Sequence, residues 1–277
     1  MDVFAAFIAP ALAGVFVGVI SGLLGVGGGT IMVPIFRLAF GMSPLASTAT
    51  SLFAIIPTSI SGVVAHARAK TCVPKLGLAL GVGGAVMSPL GVWLASVSPG
   101  WLVICVAAIV IGFSAFKMFK KAVKCAPTPR AGQAGGNAQG ASAKPVPDQP
   151  HLSRKQYLQG ACIGLIAGLA SGYVGVGGGF IMVPLMLAVL DIPMSLASGT
   201  SLIAIMILAI PGVIEQGLLG NIDYLAGIAI VVGSIPGALV GARLVRVVPE
   251  RQLRFIFGGF LLVAAVTLML NEFGILG

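Results

Sequence analysis

The feature that most constrains this chain is a near-identical segment that occurs twice, 150 residues apart. The copies read SGLLGVGGGTIMVP at residues 21–34 and SGYVGVGGGFIMVP at residues 171–184, and 11 of the 14 positions are identical. The same offset relates the triplet TSL at 50–52 to the triplet TSL at 200–202, with no gap between. A match at a fixed period is the signature of an internal duplication. The chain is therefore predicted to contain two copies of one structural unit.

Composition indicates the solvent in which these units fold. Hydrophobic residues make up 58% of the sequence and charged residues only 8%, with a mean hydropathy of +1.10. A soluble domain carries roughly a quarter of its residues as charged side chains. Several apolar runs also reach the roughly 20 residues that a helix needs to cross a bilayer. These features predict an all-α integral membrane protein whose main partner is the lipid bilayer.

Each unit is predicted to contain one short helix, interrupted or re-entrant at a glycine-rich break, and about four longer helices. The short stretch rises only roughly 20 Å, whereas the hydrocarbon core is about 30 Å thick. The predicted helices cover about 4–24, 30–40, 45–65, 74–96 and 101–119 in the first unit, and about 157–174, 180–190, 195–214, 224–242 and 254–271 in the second. Glycines four residues apart on the first helix of each unit predict close helix contact.

The segment between the two units has a different composition from both. Residues 125–152 are rich in Ala, Gly, Pro and Gln and contain almost no large apolar side chain. Such a segment cannot bury a core, which is typical of a flexible linker. The predicted domains are therefore a first transmembrane repeat at 1–124, a cytoplasmic linker at 125–152 and a second transmembrane repeat at 153–277. The first apolar run, which has Asp2 and no basic residue ahead of it, is expected to be a retained helix.

The basic residues predict how the two repeats are oriented. If the loops 66–75, 117–155 and 243–254 are all cytoplasmic, 15 of the 16 Lys and Arg residues lie on that side, and only Arg37 does not. An excess of Lys and Arg in cytoplasmic loops is the usual rule for membrane proteins. This assignment requires the second repeat to be inverted relative to the first, with both termini outside. Inverted repeats are common in transporters, whose binding sites lie near mid-membrane where broken helices meet.

Several other function classes are disfavoured. The net charge of +9 comes from loops that suit anionic lipids better than nucleic acid, so no nucleic-acid partner is expected. Four cysteines without CxxC spacing predict neither a disulfide framework nor a zinc site. The glycine segment lacks the third glycine of a dinucleotide fingerprint and the lysine of a phosphate loop. No nucleophile–base pair is evident, so we expect no catalytic residues, no metal and no cofactor.

The glycine-rich breaks are the strongest candidates for a binding site. Consecutive glycines let backbone N–H groups converge on an anion, and the following helix start adds a partial positive charge. The alternative is that the glycines only permit a sharp bend and tight packing. The repetition of GVGGG ahead of a short helix favours the binding interpretation. The candidate residues at the breaks are Gly27, Gly28, Gly29 and Thr30 in the first repeat, and Gly177, Gly178 and Gly179 in the second.

Hydroxyl side chains near the breaks form a second set of candidates. Small hydroxyl donors inside apolar helices suit an anion whose oxygens need hydrogen bonds without a full counter-charge. Alternatively, Ser and Thr bond their own helix backbone or join neighbouring helices. The candidate substrate contacts are Ser21, Thr50 and Ser51 in the first repeat, and Ser171, Thr200 and Ser201 in the second.

Ionisable side chains that could carry a proton are few. Asp191, Glu215 and Asp223 all fall at predicted helix ends, and mid-membrane carboxylates, which mark many proton-driven carriers, are not evident. His66 lies at a helix end beside Arg68, where an interfacial histidine is favoured over a proton relay.

At the paired GVGGG-[TF]-IMVP segments, with the repeated proline and Thr-Ser pair, the sequence resembles the TauE/SafE sulfite exporter family of the toluene-sulfonate uptake permease superfamily. The resemblance covers both repeats and excludes the linker. It implies a bacterial-type inner-membrane permease for sulfur-containing anions such as sulfite, sulfonates or sulfoacetate, coupled to an ion such as H⁺ or Na⁺. Phe180 stands where the first repeat has Thr30, which argues against a strictly symmetric site.

The leading hypothesis is a secondary transporter that exports sulfite or a small organosulfonate by alternating access, with the anion bound at the paired breaks. One alternative is an anion channel, and another is an uptake permease for sulfonate or thiosulfate-type anions. A third is a membrane-embedded scaffold or sensor that acts through its basic linker. The sequence leaves open the exact anion, the coupling ion, the direction of transport and the oligomeric state, a homodimer included.

Overall fold

The computed structural model describes residues 3–124, 153–174 and 177–272, and within them the regular structure is entirely helical. The predicted linker at 125–152 lies outside the described residues. The helices are α1 (Val3–Leu24), α2 (Gly29–Leu38), α3 (Pro44–Arg68), α4 (Pro74–Val97), α5 (Gly100–Lys124), α6 (Arg154–Val174), α7 (Gly179–Leu185, continued by a π-helical turn at Met186–Leu190), α8 (Met194–Leu218), α9 (Tyr224–Leu244) and α10 (Glu250–Glu272). The predicted order of helices is confirmed, including the short element in each half.

Local signals explain several of the helix starts. Ser43 caps α3, where its Oγ accepts a hydrogen bond from Ala46 N at 3.2 Å, and a proline follows it at the first helical position. Asp223 caps α9 by accepting from Ala226 N at 3.0 Å. Such side chains satisfy N–H groups that have no partner inside the helix. By contrast, α2 and α7 follow glycines in the left-handed region and have no side-chain cap.

The two halves of the chain are interlocked through their first and fourth helices. Helix α1 packs along α9, and α6 packs along α4, so the first helix of each half contacts the fourth helix of the other. A Cβ added at Gly18 of α1 would collide with the Ser234 carbonyl, and one at Gly168 of α6 would collide with the Gly84 carbonyl. The close helix contact predicted from the glycine spacing is therefore confirmed in both halves.

The remaining contacts follow the same exchange between halves. Helix α3 packs on α8 and α9, α4 packs on α8, and α5 packs on α10. The α3–α8 pair therefore lies at the centre, with each short helix beside the third helix of its own half: α2 on α3, and α7 on α8.

The outer surface of the bundle is apolar, as a lipid-facing surface is. Leu12, Val86, Ile109 and Val263 are each more than 60% exposed. Of the helices in the described residues, five are long and apolar enough to cross a bilayer, within α1, α3, α4, α8 and α9. The described residues thus form an all-helical domain of an integral membrane protein. Helix α5 and helix α10 carry several charges at one end, and α6 begins with Arg154 and Lys155.

Candidate functional site

The first non-helical segment, residues 25–28, depends on glycine at three positions. Gly25, Gly27 and Gly28 have φ angles of 72°, 82° and 81°. This left-handed region is accessible to glycine at little cost but disfavoured for other residues. The chain leaves α1 at Leu24, turns through these glycines and enters α2 at Gly29. A short helix therefore begins next to the end of a long one, inside the protein.

Several consecutive backbone N–H groups of this segment have no acceptor in the described part of the chain. Gly25 N donates to Ser21 O at 2.8 Å, and Ile31 N and Met32 N both donate to Gly28 O at 3.0 Å. Among the described residues, no hydrogen bond comes from the N–H groups of residues 26–30. All five of these residues are buried. Consecutive N–H groups without acceptors at a helix start form a concavity that suits an anion.

Two hydroxyl groups next to these donors also lack partners. Ser21 is 0% exposed and Thr30 is 6% exposed, and within the described chain neither Oγ atom has a hydrogen-bond partner. A Cβ built on Gly28 would lie 3.6 Å from Ser21 Cβ, which places Ser21 beside the start of α2. A buried polar group without a partner costs roughly 1–3 kcal/mol. Ser21 and Thr30 can therefore serve as hydrogen-bond donors to a ligand.

The corresponding segment of the second half has a similar turn but different chemistry. Gly177 and Gly178 have φ angles of 87° and 70°, and residues 175 and 176 lie outside the described part of the chain. Gly179 N donates to Gly177 O at 2.9 Å. Ser171 is buried beside Gly178, with its Oγ 3.4 Å from a Cβ built there. Phe180 is fully buried where Thr30 provides a hydroxyl in the first half.

The two segments lie next to each other at the centre of the protein. A Cβ built on Gly179 would lie 2.7 Å from Val26 O and 2.6 Å from Ile205 Cδ1. The same isoleucine contacts the first segment, with its Cγ2 2.8 Å from a Cβ built on Gly27. Ile55, which matches Ile205 in the 150-residue offset, has its Cδ1 3.3 Å from a Cβ built on Gly177. Each segment is therefore packed against an isoleucine of the opposite half.

The duplicated Thr-Ser pairs are occupied by contacts within the protein. Thr50 Oγ1 accepts a hydrogen bond from Asp223 N at 3.0 Å, and Thr200 Oγ1 accepts one from Val73 N at 3.0 Å. Ser51 Oγ donates to Thr48 O at 2.9 Å. Ser201 Oγ lies 2.7 Å from Gly25 O and 2.8 Å from Ser198 O, both of which are acceptors. These hydroxyls hold a loop or a helix end of the opposite half, or their own helix.

His66 differs from its predicted role as an interfacial residue. Its side chain is 0% exposed, and both ring nitrogens have partners: Nδ1 lies 2.8 Å from Thr71 Oγ1, and Nε2 lies 2.9 Å from Gly22 O. The sequence position at a helix end suggested exposure, whereas the loop 69–73 and α1 cover the ring. The burial follows from contacts between distant segments, which helix-end position does not encode.

One described cavity lies elsewhere, between α5, α6 and α7. It has a volume of about 270 Å³ and is lined mainly by apolar side chains, including Ile109, Phe113, Ile166 and Leu185, with Ser114 and Lys117 as its polar groups. This lining suits an acyl chain better than a small oxyanion. Among the described residues there is also no group of three His, Cys, Asp or Glu side chains that could hold a metal ion.

Comparison with known proteins gives a consistent result. The family model described as "Sulfite exporter TauE/SafE" matches residues 10–268. The "Probable membrane transporter protein YunE" of Bacillus subtilis is 26% identical over 87% of this chain and 89% of its own length. The "Probable membrane transporter protein YdhB" of the same organism is 29% identical over 86% of this chain and 89% of its own. The "Probable membrane transporter protein MJ0441" of Methanocaldococcus jannaschii is 24% identical over 94% of both chains. No solved structure matches significantly.

Proposed function

This chain belongs to the TauE/SafE sulfite exporter family, and we propose that it is a secondary transporter that exports sulfite or a small organosulfonate by alternating access. Relatives that match it over most of their length are described as membrane transporters, and its apolar helices form a membrane domain. The protein is therefore a membrane transporter. The substrate, the direction and the transport cycle are part of the proposal.

The observation that carries the proposal is the set of unused donors around the start of α2. Ser21 Oγ and Thr30 Oγ1 are buried without partners, beside the N–H groups of residues 26–30. A sulfite or sulfonate group presents three oxygens that accept hydrogen bonds from such donors. The start of α2 adds a partial positive charge, so no cationic side chain is required. We place the anion at this break, with Gly28 and Gly29 as the backbone contacts.

The second break takes a different part in this proposal. Gly177, Gly178 and Gly179 lie opposite the first break, but Phe180 occupies the position of Thr30 and leaves one hydroxyl, Ser171, near the turn. We therefore expect the paired breaks to bind one anion unequally, with most hydrogen bonds from the first. The second break then supplies the surface that closes over the bound anion.

The exchange of contacts between halves supports an inverted repeat. Helix α1 packs on α9 as α6 packs on α4, a reciprocal exchange that two copies related by a two-fold axis produce. We infer that this axis lies in the membrane plane, which makes the copies inverted. We place them in the cell inner membrane, and the distribution of basic residues supports the following orientation. The basic loops and the 125–152 linker face the cytoplasm, and both termini lie outside.

The packing at the breaks favours a carrier over a channel. Ile205 contacts both Gly27 and Gly179, and Ile55 contacts Gly177, so apolar side chains close this region. A carrier needs such closed states, because its site opens to one side at a time. An anion channel and an uptake permease are the competing functions, and flux measurements separate them from an exporter.

The test is anion binding and transport by the purified protein. Thermal stabilisation is measured with sulfite, sulfate, thiosulfate, sulfoacetate, taurine, chloride and phosphate, followed by flux in liposomes for any anion that binds. The variant Ser21→Ala removes one proposed donor. Ser59→Ala is a matched control, because Ser59 Oγ is also buried without a partner but lies on α3 and not at the break.

We expect stabilisation by a sulfur oxyanion that Ser21→Ala weakens and Ser59→Ala leaves unchanged. Saturable flux at carrier rates supports the transporter, whereas much faster, non-saturating flux would establish the channel. Net movement into cells under physiological gradients would establish an uptake permease. Neither binding nor flux with any of these anions would sink the proposal.

A further inference from the structure

A second buried polar cluster, formed by His66 and Thr71, lies at the C-terminal end of α3. The proposed anion site does not include these two side chains. His66 Nε2 lies 2.9 Å from Gly22 O, which is in the last turn of α1, one residue after Ser21. In a continuous helix the Gly22 carbonyl would accept a hydrogen bond from the backbone N–H of residue 26, but α1 ends at Leu24. His66 therefore donates to a carbonyl that the first break leaves free. The imidazole is thus linked by one hydrogen bond to the residue beside a proposed anion donor.

The other ring nitrogen has a partner that fits both charge states of the ring. When the imidazole is neutral, Nδ1 accepts a hydrogen bond from the Thr71 hydroxyl at 2.8 Å. When the ring is protonated, Nδ1–H donates to Thr71 Oγ1 instead, and the Thr71 hydrogen turns to His66 O, 3.3 Å away. The same heavy atoms satisfy both states, because a hydroxyl can both donate and accept. The cluster can therefore take up a proton without being rebuilt.

The equivalent place in the second half carries different side chains. At an offset of 150 residues, Gln216 replaces His66 and Asn221 replaces Thr71, and Asn221 Nδ2 donates to Gln216 Oε1 at 2.8 Å. That pair cannot titrate near neutral pH. The opposing helix differs as well. A Cβ at Gly199 would lie 2.9 Å from the His66 ring, whereas the matching position on α3 is Ala49. The two halves thus differ at three matched pairs of positions around this cluster, and the glycine among them leaves space for the imidazole.

The charged groups near this cluster do not touch the ring. Helix α1 contains no charged residue, and Glu215, the charged residue of α8, lies at the far end of that helix from Gly199. The cations close by in sequence are Arg68, Lys70 and Lys75, and all three are exposed. At the start of α8, Glu250 of α10 accepts a hydrogen bond from Met194 N at 3.3 Å and pairs with the buried Arg254. Cys72 is a buried thiol of the same loop, and burial raises its pKa, so it stays neutral. A proton on His66 would thus add a charge to a largely neutral interior.

We propose that His66 binds the proton that is transported together with the anion. This inference rests on the proposed function, because it needs an anion at the first break. A positive charge on His66 favours an anion nearby, and by thermodynamic reciprocity the anion favours the proton. The ring reaches water only when the loop 69–73 moves from α1 and α8. Loading and release of the proton therefore accompany the opening of that side of the transporter.

The experiment measures anion affinity at about pH 5.5 and about pH 7.5, on either side of the ordinary histidine value of about 6.5. The wild type is compared with His66→Gln/Thr71→Asn, which introduces the pair of the second half at the equivalent positions of the first. Gln216→Ala is the matched control in the second half. Comparing variants at one pH cancels any titration of the anion itself.

We expect the wild type and Gln216→Ala to bind the anion about tenfold more tightly at the lower pH, within the usual range of coupling between sites. The transplanted pair is expected to bind with less than about twofold dependence on pH. If that variant keeps the full pH dependence, His66 is not the proton site, and the anion site stands. If the wild type binds no anion at either pH, the proposed function fails, and this inference fails with it.

Proton binding also has a readout that does not need transport. The chain contains two histidines, so labelled imidazole gives two magnetic resonance signals, and His151→Gln assigns them. We expect the His66 signal to titrate at a higher pH when the anion is present. A His66 signal that does not change between about pH 5 and pH 8, with or without bound anion, would overturn the inference.

Discussion

The two halves of this protein have nearly the same framework and different interiors. Their helices occur in the same order and exchange equivalent contacts, with α1 on α9 and α6 on α4. Their central helices differ in polarity. Helix α3 buries Thr58, Ser59 and His66, whereas the matching positions of α8 are Leu208, Ala209 and Gln216.

This difference separates what the duplication retained from what it changed. The close glycine contacts and the Thr50 and Thr200 hydrogen bonds occur in both halves, and each of them joins one half to the other. Among the described residues, the buried hydroxyls without partners are those of Ser21, Thr30 and Ser59, all in the first half. Shared features therefore hold the fold, and the chemistry that an anion needs is concentrated in the first half.

The largest effect is expected from substitutions that break the shared framework. Gly18→Leu and Gly168→Leu each place a side chain against a backbone carbonyl of the partner helix, Ser234 in one half and Gly84 in the other. Backbone cannot move as a side chain can, so both variants are expected to lose the folded protein. Size-exclusion chromatography in detergent measures the surviving fraction.

Gly112→Leu is the control for this pair, because a Cβ at Gly112 meets no atom within 4 Å. It is expected to fold like the wild type. If Gly18→Leu unfolds the protein and Gly168→Leu does not, the two interfaces are not energetically equivalent, and the comparison of the halves needs revision.

An intermediate effect is expected at the duplicated threonines. Thr200→Val leaves the buried N–H of Val73 without an acceptor and should cost about 1–3 kcal/mol. Thr50→Val leaves the part-buried N–H of Asp223 without its acceptor. Because water can reach this group, the change should cost about 1 kcal/mol or less. Thermal unfolding measures both. Neither variant is expected to change anion affinity, and a loss of affinity at unchanged stability would return that threonine to the binding site.

The smallest effect on stability, with the opposite sign, is expected at Thr30. Thr30→Val removes a buried hydroxyl that has no partner, so the protein without anion should gain up to about 1 kcal/mol. The same change should weaken anion binding, whereas Thr30→Ser keeps the hydroxyl and should retain it. Anion titrations monitored by thermal stability measure both quantities. A Thr30→Val protein with unchanged affinity would exclude this hydroxyl from the site.

Much of the architecture followed from local sequence. Helix limits could be predicted to within a few residues because apolar runs, prolines and glycines act over short distances, and the helix that begins at Pro44 is an example. The largest difference between a predicted and an observed helix limit is at the end of α5, which continues to Lys124 because lysine is a good helix former. The predicted site was less complete. Ser21 and Thr30 were identified together with Thr50 and Thr200, whose hydroxyls proved to have partners.

The sequence by itself determined the membrane class, the helix order, the duplication and the positions where glycine must turn the chain. These properties depend on composition and on residues close together along the chain. Only the tertiary structure decided which hydroxyls have partners and that His66 is buried between α1, α8 and the loop 69–73. Hydrogen bonding and burial are properties of segments that meet across the whole chain, as Gly22 and His66 do, and no local pattern specifies that meeting.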